Sequence, residues 1–161
     1  MNLITRTPVL WTLFVLTLAI TGGFVVLAPA AGGQFLDRLS DPEASRALVA
    51  GLSESQRTAH FWTTVLLDTA YPFAYGLFFA GMALRFFGRW GRLAAVPAFA
   101  VMIVDLTENT LQALTLAGAG DFLEPKAWIT PLKFNLFYLA ALIALVALGI
   151  AVFRMVRKPA A

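Results

Sequence analysis

Asp105, Glu108, Asn109 and Gln112 sit inside a long apolar stretch. At about 100° per residue all four fall within one helical face. In an earlier apolar stretch Asp68, Tyr71, Pro72 and Tyr75 repeat the same i, i+3, i+4, i+7 spacing. A carboxylate at the bilayer centre costs at least ~2.5 kcal/mol on the most lenient scale, so such residues need a reason. If the two stripes face each other, Asp68, Asp105 and Glu108 meet beside the phenols of Tyr71 and Tyr75. Three close carboxyl groups do not all ionise. One is then expected to hold its proton and act as a hydrogen-bond donor or general acid, with a neighbour as base.

Asp68, Asp105 and Glu108 are therefore the candidate catalytic acids. Tyr71, Tyr75, Asn109, Gln112, Lys133 and His60 are the candidate ligand-binding residues. Lys133 enters the last span about one turn below its surface. It either reaches inward to neutralise a carboxylate or snorkels outward. Asn135 and Tyr138 are expected to point roughly away from it on the same helix. His60 is expected at the interface, where a wet imidazole is the common case. Arg57 is expected as a surface charge able to reach the mouth of the site. The plainer alternative is that these polar groups hold helices together, at ~0.6 kcal/mol per hydrogen bond on average. That alternative suits the amides Asn109, Gln112 and Asn135 better than the acids. Pro72 is expected to kink its helix and free a carbonyl near Asp68.

The elements that must position these groups follow from the apolar runs. The chain has 161 residues, of which 60% are hydrophobic, far above a soluble domain of this size. One all-α transmembrane domain over residues 1–161 is expected, an integral membrane four-helix bundle. Its spans lie at about 9–27, 60–84, 93–116 and 131–153, each long enough to cross ~30 Å of hydrocarbon. Residues 28–30 look like a small-residue cleavage site, but the apolar run before them is longer than the ~7–15 residues of a signal-peptide core. An uncleaved first span is expected. In the first connection Asp41-Pro-Glu43 reads as an N-cap, a proline at the first helical position and an acidic first turn. It opens a short amphipathic helix with Leu48 and Val49 on its greasy side. Residues 118–128 read as a loop.

Arg85, Arg89 and Arg92 in the second turn, and Arg154, Arg157 and Lys158 in the tail, have no acidic neighbours in those loops. The positive-inside rule then puts both termini in the cytoplasm and the short amphipathic helix in an outer loop, as for a multi-pass protein of a bacterial inner membrane. There is no cysteine, which excludes disulfides, thiolate catalysis and cysteine-ligated clusters. A single histidine excludes a multi-histidine metal site. A carboxylate-only metal site stays open, but no metal and no cofactor is expected. The basic residues border spans and form no patch for nucleic acid.

Two resemblances follow from these residues. Leu67-Asp-Thr-Ala-Tyr-Pro-Phe-Ala-Tyr-Gly76, Asp105-Leu-Thr-Glu-Asn109 and Thr130-Pro-Leu-Lys133 resemble an uncharacterised group of small bacterial four-span membrane proteins. This resemblance covers spans two to four and implies that Asp68, Tyr75, Asp105, Glu108, Asn109 and Lys133 are its marked positions. It implies no activity. Four spans, a long first outer loop, and an acid before an aromatic-proline stretch in span two are also similar to the emopamil-binding, sigma-2-receptor-like (EXPERA) fold. That similarity implies an intramembrane acidic and aromatic pocket for sterols or cationic amines, some members isomerising sterol double bonds, with Asp68 as the acid of the second span. The Asp105/Glu108 pair has no counterpart there.

Three functions are compatible with the sequence. The first is binding of a membrane lipid or hydrophobic, isoprenoid-like small molecule at the acidic cluster, with or without isomerase-type acid/base chemistry. The second is proton or cation transport, which four spans would support only as a homodimer or larger oligomer and which lacks the paired broken helices of many transporters. The third is a structural subunit whose polar stripe docks a partner membrane protein.

Overall fold

A computed structural model describes residues 3–157; Lys158, counted above in the basic tail, lies outside the described residues. Among the described residues the chain is all helical. Four helices are long and apolar enough to cross a membrane: α1 (Thr7–Leu27), α3 (Glu54–Phe86), α4 (Val96–Leu116) and α5 (Leu123–Val156). The short α2 (Pro42–Gly51) lies between the first two spans. α3, α4 and α5 pack on one another, and α1 packs chiefly on α3, so α1 and α5 flank α3 and scarcely touch each other.

Local sequence sets the ends. The Asp41 carboxylate accepts from the Ala44 N–H at 2.8 Å and Pro42 opens α2. Leu48 and Val49 on its apolar side pack with Leu36, Leu116 and Leu123. α3 begins at Glu54, earlier than the apolar pattern predicts, because Ser53 and Gln56 form a capping box. α5 likewise begins at Leu123, so Glu124, Pro125 and Lys126, expected in a loop, are in a helix. Proline is tolerated in a first turn, where its missing N–H has no partner to lose.

α3 is not regular. Thr63–Asp68 is a π-helical turn, and Pro72 lies inside the helix that follows. Pro72 has no N–H to give to the carbonyl of Asp68, four residues earlier. Asn109 of α4 takes that carbonyl instead, its side-chain amide donating at 2.8 Å. This joins α3 to α4 at the level of Asp68 and swings the polar stripe of α3 onto that of α4.

Away from this end the bundle is built from small residues. Ala80, Ala83, Ala95, Ala98 and Ala140 form one buried cluster, and Leu10, Met82, Ala144 and Ala147 another. Close approach requires the absence of a Cβ at Gly81, where one would collide with the carbonyl of Ile4 and stand 2.7 Å from a Leu10 methyl. Large apolar side chains such as Val26, Leu66 and Ile103 face outward, as lipid contact demands.

Candidate functional site

The polar stripes of α3 and α4 do meet, and α5 completes the cluster. Glu108 is fully buried at its centre. Its Oε2 lies 2.5 Å from Lys133 Nζ, and its Oε1 accepts from Thr130 Oγ1 at 2.5 Å and lies 3.6 Å from Lys126 Nζ. Lys133 therefore reaches inward. Its ammonium also stands 3.6 Å from Asp105 Oδ1 and 3.9 Å from Asp37 Oδ2. Tyr75 donates its hydroxyl proton to Asp105 Oδ2 at 2.7 Å. Lys126 donates to the Leu39 carbonyl at 2.5 Å and to Thr130 Oγ1 at 3.2 Å. Two ammonium groups thus meet three carboxyl groups, Asp37, Asp105 and Glu108.

Asp68 differs from the other acids. It is 5% exposed, yet its carboxyl makes no hydrogen bond or ion pair among the described residues. It lines a cavity of about 930 Å³ together with Asp105, Lys133, Tyr71 and Tyr75. That is within the ~300–1,000 Å³ of ordinary small-molecule sites. Phe24 of α1 and Phe134, Phe137 and Tyr138 of α5 give the cavity an aromatic side, and Asp37 and Arg38 give it a charged end. Val25 and Tyr138, 73% and 65% exposed, stand at its rim in the gap between α1 and α5. Tyr71 is held by Thr21, hydroxyl to hydroxyl at 3.1 Å, and by edge contacts with Phe24 and Tyr75.

Not every residue expected at the site reaches it. Glu108 does not line the cavity; it lies behind Lys133 and anchors both lysines. Asn109 serves the backbone of Asp68, the helix-joining role that suits an amide. Gln112 is buried with neither amide atom hydrogen-bonded, and it does not line the cavity. His60 is not at a wet interface. It is fully buried, with Nδ1 donating to the Ala31 carbonyl at 3.0 Å and Nε2 accepting from the Leu36 N–H at 3.3 Å. Arg57 donates to the carbonyls of Leu116 and Thr115, at 2.8 and 3.1 Å, and so caps the C-terminus of α4. Asn135 is exposed and returns its amide to the Pro131 carbonyl of its own helix.

Asp37 and Lys126 belong to the cluster although their sequence neighbourhoods look like loops. For Lys126 a signal existed: Lys126, Thr130 and Lys133 follow i, i+4, i+7 spacing, one helical face. Asp37 carried none, because its place depends on how the first connection folds back over the bundle. Outside the spans, Arg46 of α2 contacts Glu43, Asp121 and Glu124 at 2.6, 2.7 and 2.9 Å. Its hydrogen bond holds the Asp121 carboxyl below the ordinary carboxylate range. This network ties α2 to the turn before α5.

No family model, no curated protein and no solved structure matches the chain.

Proposed function

We propose that this chain is a multi-pass protein of a bacterial inner membrane that binds an amphipathic, lipid-like or isoprenoid-like molecule in the cavity between α1 and α5. The single observation that carries this reading is Asp68, a buried carboxyl without a protein partner on the wall of a cavity large enough for such a ligand. A carboxyl with no hydrogen-bond partner on the wall of a largely apolar cavity gains from a ligand group that pairs with it. A ligand head bearing a hydrogen-bond donor supplies that partner, and the aromatic side of the cavity receives the apolar body. Access is from the lipid, past Val25 and Tyr138. The Arg85, Arg89 and Arg92 turn and both termini lie in the cytoplasm, so the cavity and α2 belong to the outer half of the bilayer. The role of Asp68 is the one that the EXPERA resemblance implies.

A catalytic version of this reading uses Asp68 and Asp105 as the acid/base pair, since both line the cavity and Glu108 does not. Lys133 and the Tyr75 hydroxyl would then hold Asp105 in place. The transport reading has less support. Among the described residues, the buried polar side chains inward of Tyr75 reduce to Thr5, so the polar chain stops halfway across the bundle.

Native mass spectrometry with lipid extraction on gently solubilised protein tests the proposal. A molecule released from wild type and missing from Asp68→Asn supports it. Identical spectra for the two proteins overturn it and move the weight to a partner-docking subunit.

A further inference from the structure

Residues 31–39 cross one end of the cavity and supply part of its wall through Phe35, Asp37 and Arg38. This strap has little regular structure. It leaves α1 through Gly32 and Gly33, both at positive φ (96° and 85°), and holds one 3-10 turn, Leu36–Arg38. Side chains from two helices fasten it. Lys126 and Lys133 of α5 hold the Leu39 carbonyl and Asp37. His60 of α3 grips two further points, the Ala31 carbonyl and the Leu36 N–H, and Phe35 packs edge-on against its ring, centroids 5.3 Å apart. Ala31, Leu36 and the His60 ring are all fully buried.

The two bonds of His60 permit one form of the ring. A carbonyl accepts at Nδ1, so Nδ1 carries a proton; an N–H donates to Nε2, so Nε2 carries none. That is the neutral imidazole. We infer that residues 31–39 form a latch over the cavity and that neutral His60 keeps it closed, so that acid opens it. A proton on Nε2 faces the Leu36 N–H donor to donor. The bond is lost and a buried amide is left without an acceptor, which outweighs the modest net value of an ordinary hydrogen bond. The charged group that acts on the ring is Asp37, on the strap itself. On the ring's own helix, Arg57 is committed to the carbonyls of α4. Acid loosening of the strap enlarges the way to Asp68. This use of the latch rests on the proposed ligand site, but the latch itself is testable without any ligand.

The test is hydrogen–deuterium exchange over residues 31–39 of the full chain in detergent, with rates corrected for intrinsic exchange at each pH. Between about pH 7.5 and about pH 5, wild type is expected to lose about tenfold in protection across this segment. His60→Gln is expected to lose none, because its amide can donate to Ala31 and accept from Leu36 without titrating. Equal protection of wild type at the two pH values overturns the inference, and so does an equal loss in His60→Gln. Neither outcome bears on whether the cavity binds an amphiphile, which the lipid-extraction experiment decides separately.

Discussion

The two halves of this bundle solve the problem of helix association differently. In the half that carries Ile4 and the second half of α5, Ala80, Ala83, Ala95, Ala98, Ala140, Ala144 and Ala147 fill the interior, and at Gly81 the backbone of Ile4 comes close. Small residues at the interface are the usual way to hold helices in lipid, where burying apolar surface against apolar tails gains little. In the half that carries α2, an apolar cluster of Leu36, Leu116 and Leu123 is accompanied by Glu108, Lys126, Thr130, Lys133, Asp105 and Tyr75, joined by ion pairs and charge-assisted hydrogen bonds. The alanine half shows that this chain can hold helices together without charge. The polar half binds its helices by charge instead, and Asp68, at its edge on the cavity wall, is left out of that pairing.

The contrast sharpens or breaks under substitution. Glu108→Leu strands Lys126, which has no other carboxylate within 4.0 Å among the described residues. A loss of about 3–5 kcal/mol is expected from chemical unfolding in detergent. Glu108→Leu combined with Lys126→Met is expected to recover most of it, since a buried pair replaced whole by apolar residues is often neutral. A double variant no better than the single one would show that the strap contact to Leu39, and not charge pairing, is what Lys126 supplies.

In the alanine half, Gly81→Ala is expected to cost about 1–3 kcal/mol, because the new methyl meets the backbone of Ile4. Gly76→Ala should cost less, since the nearest atoms belong to the flexible side chain of Met102. The reverse order in a thermal melt would mean that α3 is packed otherwise than described at these two positions. The smallest effect belongs to the exposed network of α2. Arg46→Ala should move the melting temperature least of these, as exposed ion pairs contribute little. Arg46 lowers the folded pKa of Asp121, so its stabilisation is present above the unfolded value of about 3.9 and fades as pH falls through the folded one. The difference between wild type and Arg46→Ala should vanish in acid.

Much of the helical architecture was legible because span length and apolar runs are strong signals. The pairing of the α3 and α4 stripes was legible too, from matching i, i+3, i+4, i+7 patterns on neighbouring helices. What the sequence hid was tertiary. His60 looks interfacial by position, and only the fold of residues 31–39 over it buries its ring. Lys126 looks like a loop residue beside Pro125, and its helical spacing to Lys133 counts only once α5 is known to start at Leu123. Glu108 and Asp68 look equivalent on paper. Three residues of α5 distinguish them, since Lys126, Thr130 and Lys133 all turn to Glu108 and none contacts Asp68.

That division between Glu108 and Asp68 is the central claim, and thermal unfolding of Asp68→Asn in protein stripped of copurified lipid tests it most directly. Asp68 has no partner to lose, so the melting temperature should stay at or above that of stripped wild type. The variant should also fail to regain stability when the extracted lipid is returned, whereas wild type regains it. A clear drop in melting temperature for the stripped variant, with the gain on adding lipid back unchanged, would place Asp68 among the residues that hold the bundle together and contradict the account.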